Sequence, residues 1–461
     1  METVAQPGLL DRALKRLMEA WRDVAGGAEE TDIAAQMRAC LEAKGGEVSA
    51  RARSARLAQA YLAADSEGKA RFLRTLAGFD SDPDAVARAI ADLQAAAGDE
   101  AAAAKARVQL RRALEAPRAR LVTQFTSIPE GVKFVVDLRA ALMQLARKEP
   151  ALAALEADMR ALLAAWFDVG FLELRRIDWH SPASLLEKLV GYEAVHEIRS
   201  WRDLKNRLDS DRRCYAFFHP RMPDEPLIFV EIALVKGLAG DVRALLDEKA
   251  PVGDPRAADT AIFYSISNCQ QGLAGISFGN FLIKRVVEEL SLEFNNLKTF
   301  ATLSPIPGFR RWLEEKQAEE SLLTTEEQAA LAALPGADPE AGLLGLLARR
   351  GWHRDPAVAE ALRPVLFRLC ARYLLAESAE GRGEVRRARD PVAHFHLANG
   401  AQAERLNWLA DRSDKGMRES AGLMVNYLYD RASIEANHEA YAGQGKRAAS
   451  TALKRLARGW I

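Results

Sequence analysis

Ala261 to Phe309 reads AIFYSISNCQQGLAGISFGNFLIKRVVEELSLEFNNLKTFATLSPIPGF, and the architecture follows from how that string divides. Ala261 to Ser267 is a β-branched and aromatic run of strand length. Gln270 to Gly279 is a glycine-bearing turn. Leu282, Val286 and Leu290 then recur every four residues, as do Ile283 and Val287, leaving Lys284, Arg285, Glu288 and Glu289 for water; this predicts an amphipathic helix. Lys298 to Leu303 supplies a second strand. Two strands bridged by one helix run parallel, so the glycine loop and Ser304, which follow the two strands, fall at the same sheet edge. Ligands of such units collect there.

In the loop, Gly272, Gly275 and Gly279 let backbone approach a ligand without Cβ obstruction, and the start of the next helix offers free N–H groups and a partial positive charge. That suits a phosphate or pyrophosphate. The loop has neither the lysine of a Walker motif nor the spacing of the dinucleotide fingerprint, and spacing alone leaves a plain strand-to-helix turn equally open.

The strings FYSIS, QQGLAG, FLIKRVVEEL and LSPIPGF resemble the malonyl-CoA decarboxylase family. So do DPVAHFHLANGA at Asp390 to Ala401, HPRMPDEPLIFVEIAL at His219 to Leu234, GLMVNYLY at Gly422 to Tyr429 and RRIDWHSPASLL at Arg175 to Leu186. The resemblance covers essentially all of the chain after Arg175. It implies an α+β chain, with an all-helical domain followed by a GNAT-like acyl-CoA-binding domain carrying helical insertions. It implies decarboxylation of malonyl-CoA to acetyl-CoA and carbon dioxide. Ser304 and His396 become the working pair, with Tyr429 near them, and Ser265, Gln271, Gly272, Ala274, Gly275, Ile276, Ser277, Phe278, Gly279 and Asn280 become CoA or substrate contacts. Family members carry a glutamate where this chain has Ser277, so its role is absent here or supplied elsewhere, for example by Glu231. Read from the residues alone, Ser265 is equally a plain sheet residue and Tyr429 a buried aromatic.

Loss of carbon dioxide from a malonyl thioester leaves electrons on the α-carbon that pass into the carbonyl and are then quenched by a proton. The CoA thioester is the substrate, and neither metal nor biotin is chemically required. Histidine, by its unperturbed pKa, suits the delivery of a proton near neutral pH. The chain has seven histidines. His394 and His396 alternate around Phe395, so in an extended segment they point to opposite faces and only one serves a given pocket. The family motif ends in Phe-His-Leu and selects His396. His219, at a strand turn, is the next candidate, with capping or packing as the competing reading. Ser304 precedes Pro305, which holds it extended.

Working outward, 64 Lys plus Arg balance 64 Asp plus Glu, so nothing marks the 461-residue chain as a nucleic-acid binder. Cys40, Cys214, Cys269 and Cys370 are scattered without a CxxC pair, which favours reduced thiols over a disulfide framework or zinc site. The first residues read as an amphipathic helix without a signal core, no apolar run reaches bilayer length, and LARGWI is not a peroxisomal tripeptide. A cytoplasmic, membrane-free protein is expected.

Leu9 to Leu174 is rich in Ala, Leu, Arg and Glu at helical spacing, with breaks at glycine pairs and Asp80 to Pro83. This predicts an all-helical domain over 1–174 and a catalytic domain over 175–461. The helices carry more apolar face than a lone bundle needs, so a homo-oligomer, dimer or tetramer, is expected through them. In the second domain, strands are expected at Cys214 to Phe218 and Pro226 to Val235, helices at Thr325 to Leu334, Ala357 to Leu375 with a break at Pro364, Ala403 to Ala410 and Lys446 to Arg458. Two further functions fit such a chain: a GNAT-type acyl-CoA N-acyltransferase and a non-catalytic acyl-CoA sensor.

Overall fold

The computed structural model describes residues 32–42, 46–276, 282–319, 322–334, 342–379 and 385–461. The amino-terminal helix expected over the first residues lies outside them. The chain divides into two compact units. The first comprises Met1–Glu173 with Phe218–Leu227 and Asn268–Phe278, and the second Leu174–Phe217, Ile228–Ser267 and Gly279–Ile461. The first unit thus also takes two short pieces from later in the chain.

Helices make up the body of the first unit, and side-chain caps start many of them. Asp65, Asp82 and Asp99 each accept a backbone N–H at the head of Ser66–Ala77, Pro83–Ala95 and Glu100–Leu114. Its core holds edge-to-face aromatic pairs, Tyr61–Phe72 at 5.0 Å, Tyr61–Phe134 at 5.7 Å and Phe125–Phe134 at 4.9 Å. His219 belongs here. Its Nδ1 accepts the Arg221 N–H (3.1 Å), so Nε2 carries the proton and donates to the Trp166 carbonyl (3.1 Å), while the ring lies 4.7 Å from Phe167. It is a turn and packing residue.

Most of an eight-stranded mixed sheet lies in the second unit. Its strands are β1 (Glu173–Ile177), β2 (Arg212–His219), β3 (Met222–Val235), β4 (Thr260–Asn268), β5 (Thr299–Thr302), β6 (Ser304–Pro305), β7 (Gln402–Asn407) and β8 (Met424–Leu428). They lie in the order β1-β2-β3-β4-β5-β8-β6, with β7 on β8. A two-residue turn joins β2 to β3, so these run antiparallel. β4 and β5 pair in parallel, from Thr260 opposite Thr299 to Phe263 opposite Thr302, as one bridging helix requires. That helix, Leu282–Glu293, buries Leu282, Ile283, Val286, Val287 and Leu290, each worth roughly 1.5–3 kcal/mol over exposure.

Three expectations are corrected. Ala403 to Ala410 is not a helix: Gln402 to Asn407 forms β7 and pairs with β8 from Gln402–Leu428 to Asn407–Met424, tertiary hydrogen bonding overriding the helix propensity of Ala, Glu and Leu. Pro356–Leu375 continues through Pro364, held by eleven buried residues along its length. The carboxy-terminal helix is shorter than expected, Thr451–Leu456. The capping box of Thr324 and Glu327 is present as read.

Candidate active site

Ser304 starts β6 and stands opposite Val425 of the antiparallel β8. Side chains alternate along an extended chain, so Thr302 and Ser304 share one sheet face, and Tyr427 of β8 and Tyr429, the first residue past its end, come to the same face. The Thr302 hydroxyl accepts from the Ser304 hydroxyl (2.8 Å) and from the Tyr427 N–H (3.1 Å). Asn426 fixes the strand beneath by donating to the Thr302 carbonyl (2.7 Å).

The histidine segment is a helix, Pro391–Ala398, so the alternation argued for an extended stretch does not apply. The opening Asp-Pro pair explains it. Asp390 is the N-cap, accepting from Val392 (3.0 Å) and Ala393 (2.9 Å), and Pro391 sits at the first helical position, where its missing N–H costs nothing. The far end closes with a Schellman pair, Ala401 N–H to the His396 carbonyl and Gly400 N–H to that of Leu397 (3.1 and 3.0 Å). Gly400 has φ +81°, and a Cβ there would lie 2.0 Å from the Ile434 carbonyl oxygen, so only glycine ends the helix at this point.

At 100° per residue, His394 and His396 diverge by about 200°, so the helix separates them as a strand would. His394 Nδ1 meets the Tyr441 hydroxyl at 2.8 Å, and that hydroxyl also accepts the Ala388 N–H. His396 turns to the sheet. Its Nε2 lies 3.0 Å from Ser304 Oγ and its Nδ1 2.7 Å from the Tyr429 hydroxyl, with the Tyr427 ring stacked on it at 4.6 Å. Tyr429, His396, Ser304 and Thr302 form one buried hydrogen-bonded chain. With the Ser304 hydroxyl donating to Thr302, His396 Nε2–H donates to Ser304 and the Tyr429 hydroxyl to Nδ1, which satisfies every link with one tautomer.

Burial changes the expected role of the imidazole. Desolvation pushes His396 down to about 3 and pushes the Tyr429 and Tyr427 phenols up, so all three rings are neutral at pH 7. The argument from an unperturbed histidine pKa is therefore corrected. Asp390, pushed up to about 6 by burial and pulled back by the N–H groups it caps, also accepts from the Tyr373 hydroxyl (3.3 Å). Gly308 lets Tyr373 approach, since a Cβ there would fall 2.1 Å from that hydroxyl oxygen.

The other expected residues fall elsewhere. Glu231 is not a spare carboxylate. It is fully buried and bonded to Arg207 Nη1 (3.0 Å), whose Nε and Nη2 hold Asp203 (2.8 and 3.3 Å); burial pushes the Glu231 carboxyl up and the guanidinium pulls it back. Ser265 donates to the Glu193 carboxylate (2.7 and 2.8 Å), which also takes the Ser267 hydroxyl (3.2 Å) and the Val195 and His196 N–H groups.

In the loop of the first unit, Gln271, Gly272 and Leu273 form a single 3-10 turn, and Arg139 donates to the Gly272 and Ala274 carbonyls (2.6 and 3.1 Å). Gly272 answers to packing and not to a ligand, because a Cβ would lie 1.8 Å from the Val136 carbonyl oxygen. Gly275 is different: φ is +78° and nothing lies within 4 Å of where its Cβ would be. The Leu273, Ala274 and Ile276 N–H groups bond back inside the loop, to Gln270, Gln271 and Leu273. Ser277, Phe278, Gly279 and Asn280 lie outside the described residues.

Sequence reasoning passed over Thr302, Tyr427 and Glu193. The first two carry a readable signal, the two-residue alternation Thr302–Ser304 and Tyr427–Tyr429. Glu193 follows a helix in an irregular stretch, and no spacing marks it. Among the described residues no group of three or more His, Cys, Asp or Glu is placed to hold a metal ion, and no helix is long and apolar enough to cross a membrane.

The chain's curated relatives are malonyl-CoA decarboxylases, which makes it an enzyme of the carboxy-lyase class. Residues 170–460 match the model of the malonyl-CoA decarboxylase C-terminal domain and residues 79–167 that of the N-terminal domain. The chain belongs to the malonyl-CoA decarboxylase family. It is 37% identical over 411 residues to the mitochondrial malonyl-CoA decarboxylase of Rattus norvegicus, covering 85% of this chain and 82% of the relative. Its structure is similar to the crystal structures of malonyl-CoA decarboxylase from Rhodopseudomonas palustris (TM-score 0.82, 44% identity, 92% of this chain and 98% of that one) and Agrobacterium vitis (0.82, 42%, 92% and 99%).

Proposed function

We propose that this chain converts malonyl-CoA to acetyl-CoA and carbon dioxide through Ser304 and His396, without metal or biotin. The observation that carries the reading is the Ser304–His396–Tyr429 chain, with hydroxyl–imidazole contacts of 3.0 and 2.7 Å, in a member of this family. As the bond to the departing carboxyl group breaks, its electron pair moves to the α-carbon and into the thioester carbonyl. With the anionic substrate bound, His396 takes one proton from solvent at Nδ1, the Tyr429 hydroxyl turning to accept it; the Ser304 hydroxyl then protonates the α-carbon and takes the His396 Nε2 proton, which leaves a neutral imidazole and accounts for the one proton the reaction consumes. An imidazole kept neutral by burial gains proton affinity only when the anionic substrate lies beside it, which confines the proton transfer to the loaded site. The thioester supplies its own electron sink, which is why a metal or biotin has no step to perform.

The test is to incubate the purified protein with malonyl-CoA and no acceptor. Acetyl-CoA and carbon dioxide in equal amounts are expected. An acyl product formed only with an amine would make the chain an N-acyltransferase, and binding without turnover an acyl-CoA sensor. For the loop, Gly275 is read as the point of closest backbone approach to the CoA pyrophosphate. Gly275→Val is expected to weaken CoA binding about tenfold or more with a smaller change in kcat; unchanged CoA affinity in the folded variant removes the loop from the site.

Four free, buried cysteines fit a reducing compartment such as the cytoplasm. We also read the chain as a homo-oligomer through helices before Leu174. A cut at that point would leave the first unit without Phe218–Leu227 and Asn268–Phe278, so the full-length chain is the one to test. Ile90, Val108 and Leu114 are exposed apolar residues on two of its helices. Light scattering of the full chain should show a dimer or tetramer that the Ile90→Glu, Val108→Glu, Leu114→Glu variant dissociates. The same assembly in both excludes this surface.

A further inference from the structure

A groove of about 820 Å³ opens on the second unit where the helix Pro356–Leu375 ends and β7 begins. Ser304, His396 and Tyr429 do not line it. Its walls include Arg386, Lys446, Arg447 and Lys454 and no aspartate or glutamate side chain. Cations that gather on one concave surface repel one another, and a charge drawn out of water without a partner is costly. Here the compensation is partial: Glu377 acts on Arg447 through space, but its carboxylate is bonded to Arg372 (3.1 Å). Arg447 is half-buried, yet its guanidinium donates only to neutral oxygens, Ser378 Oγ (2.9 Å) and the Leu374 and Arg387 carbonyls (3.4 and 3.3 Å), and burial pushes it below the usual arginine range. Arg386, Lys446 and Lys454 form no salt bridge among the described residues.

The fold holds these cations together. Gly445 has φ +66°, and a Cβ there would lie 2.7 Å from the Arg386 carbonyl oxygen, so glycine is what lets the two basic segments touch. An antiparallel bridge, Ser378 to Ala388, and a parallel one, Ala403 to Ala449, tie the same segments to their neighbours. The volume exceeds what an inorganic anion fills; the Gln402 amide N–H is held by Glu404 (2.7 Å), which leaves its carbonyl oxygen, the Asn437 amide and the Trp460 ring, against which Arg368 and Arg372 stand at 5.1 Å, as the polar and flat surfaces for a base and sugar.

We propose that this groove binds a nucleotide through its phosphate chain. Two sources share that chemistry, a free nucleoside diphosphate or triphosphate and the nucleotide end of a CoA molecule. The phosphates sit among Arg386, Lys446, Arg447 and Lys454, where charge-assisted hydrogen bonds replace the missing carboxylates.

Titration calorimetry on the full-length protein tests it, with ADP, CoA and inorganic pyrophosphate as probes. ADP is expected to bind saturably, with affinity falling as salt rises. Lys446→Glu with Lys454→Glu, both exposed positions, should weaken ADP about tenfold or more without shifting the thermal unfolding midpoint, and the milder Lys446→Gln, Lys454→Gln pair should weaken it less. If CoA weakens in parallel, the occupant is the CoA nucleotide; if CoA is unaffected while ADP is lost, it is a free nucleotide. Equal affinity for ADP and pyrophosphate in the native protein and both variants, or no ADP binding at all, overturns the proposal.

Discussion

His396→Ala and Ser304→Ala are each expected to lower kcat about a hundredfold or more while leaving CoA affinity nearly intact, the usual scale for a group that moves a proton. The two losses should not multiply. Ser304 Oγ and His396 Nε2 are 3.0 Å apart in one chain, so removing either breaks the same transfer, and the double variant should be little worse than the poorer single. His394→Ala is the internal control. Its partner is the Tyr441 hydroxyl, on the other side of the helix, and turnover should persist. Steady-state kinetics on the four variants decides the matter: a multiplicative double variant separates the two residues, and an active His396→Ala beside an inactive His394→Ala reverses the assignment.

Arg207→Met should produce the largest loss of stability. Arg207 and Glu231 are each 1% exposed at the side chain and Asp203 4%, and Arg207 also donates to the His196 and Glu197 carbonyls (2.9 and 3.1 Å). Removing the guanidinium strands two buried carboxyls and two carbonyls at once. Breaking one side of such a pair costs about 3–5 kcal/mol. Adding Glu231→Gln to Arg207→Met should recover part of that, because the stranded charge goes with it. Urea unfolding of the native protein and both variants reads the difference. A midpoint within error of the native one for Arg207→Met means the cluster contributes nothing net.

Local pattern was enough for much of this molecule. The strand at Ala261 to Ser267, the buried stripe of Leu282–Glu293 and the parallel pairing of β4 with β5 were all legible, because each follows from periodicity and one topological rule. Ser304 and His396 were legible through long family strings, and the rotation between His394 and His396 came out the same in helix as in strand. The capping chemistry of Asp390, Pro391 and Gly400 also stood in the sequence, although its helical consequence was passed over.

What the sequence by itself determined, then, is most of the element order, the family, and a candidate pair, Ser304 and His396, that the fold brings within 3.0 Å. Tertiary structure decided what those residues are like. It made Gln402–Asn407 a strand by giving it β8 to pair with, and tied Glu231 to an arginine twenty-four positions earlier. It showed that Gly272 answers to the Val136 carbonyl and Gly275 to open space. It also set the His396 imidazole near 3 and not near 6.5. Each of these depends on which groups from distant parts of the chain remain after water is excluded. Desolvation and close approach act through space, so no spacing along the chain carries them.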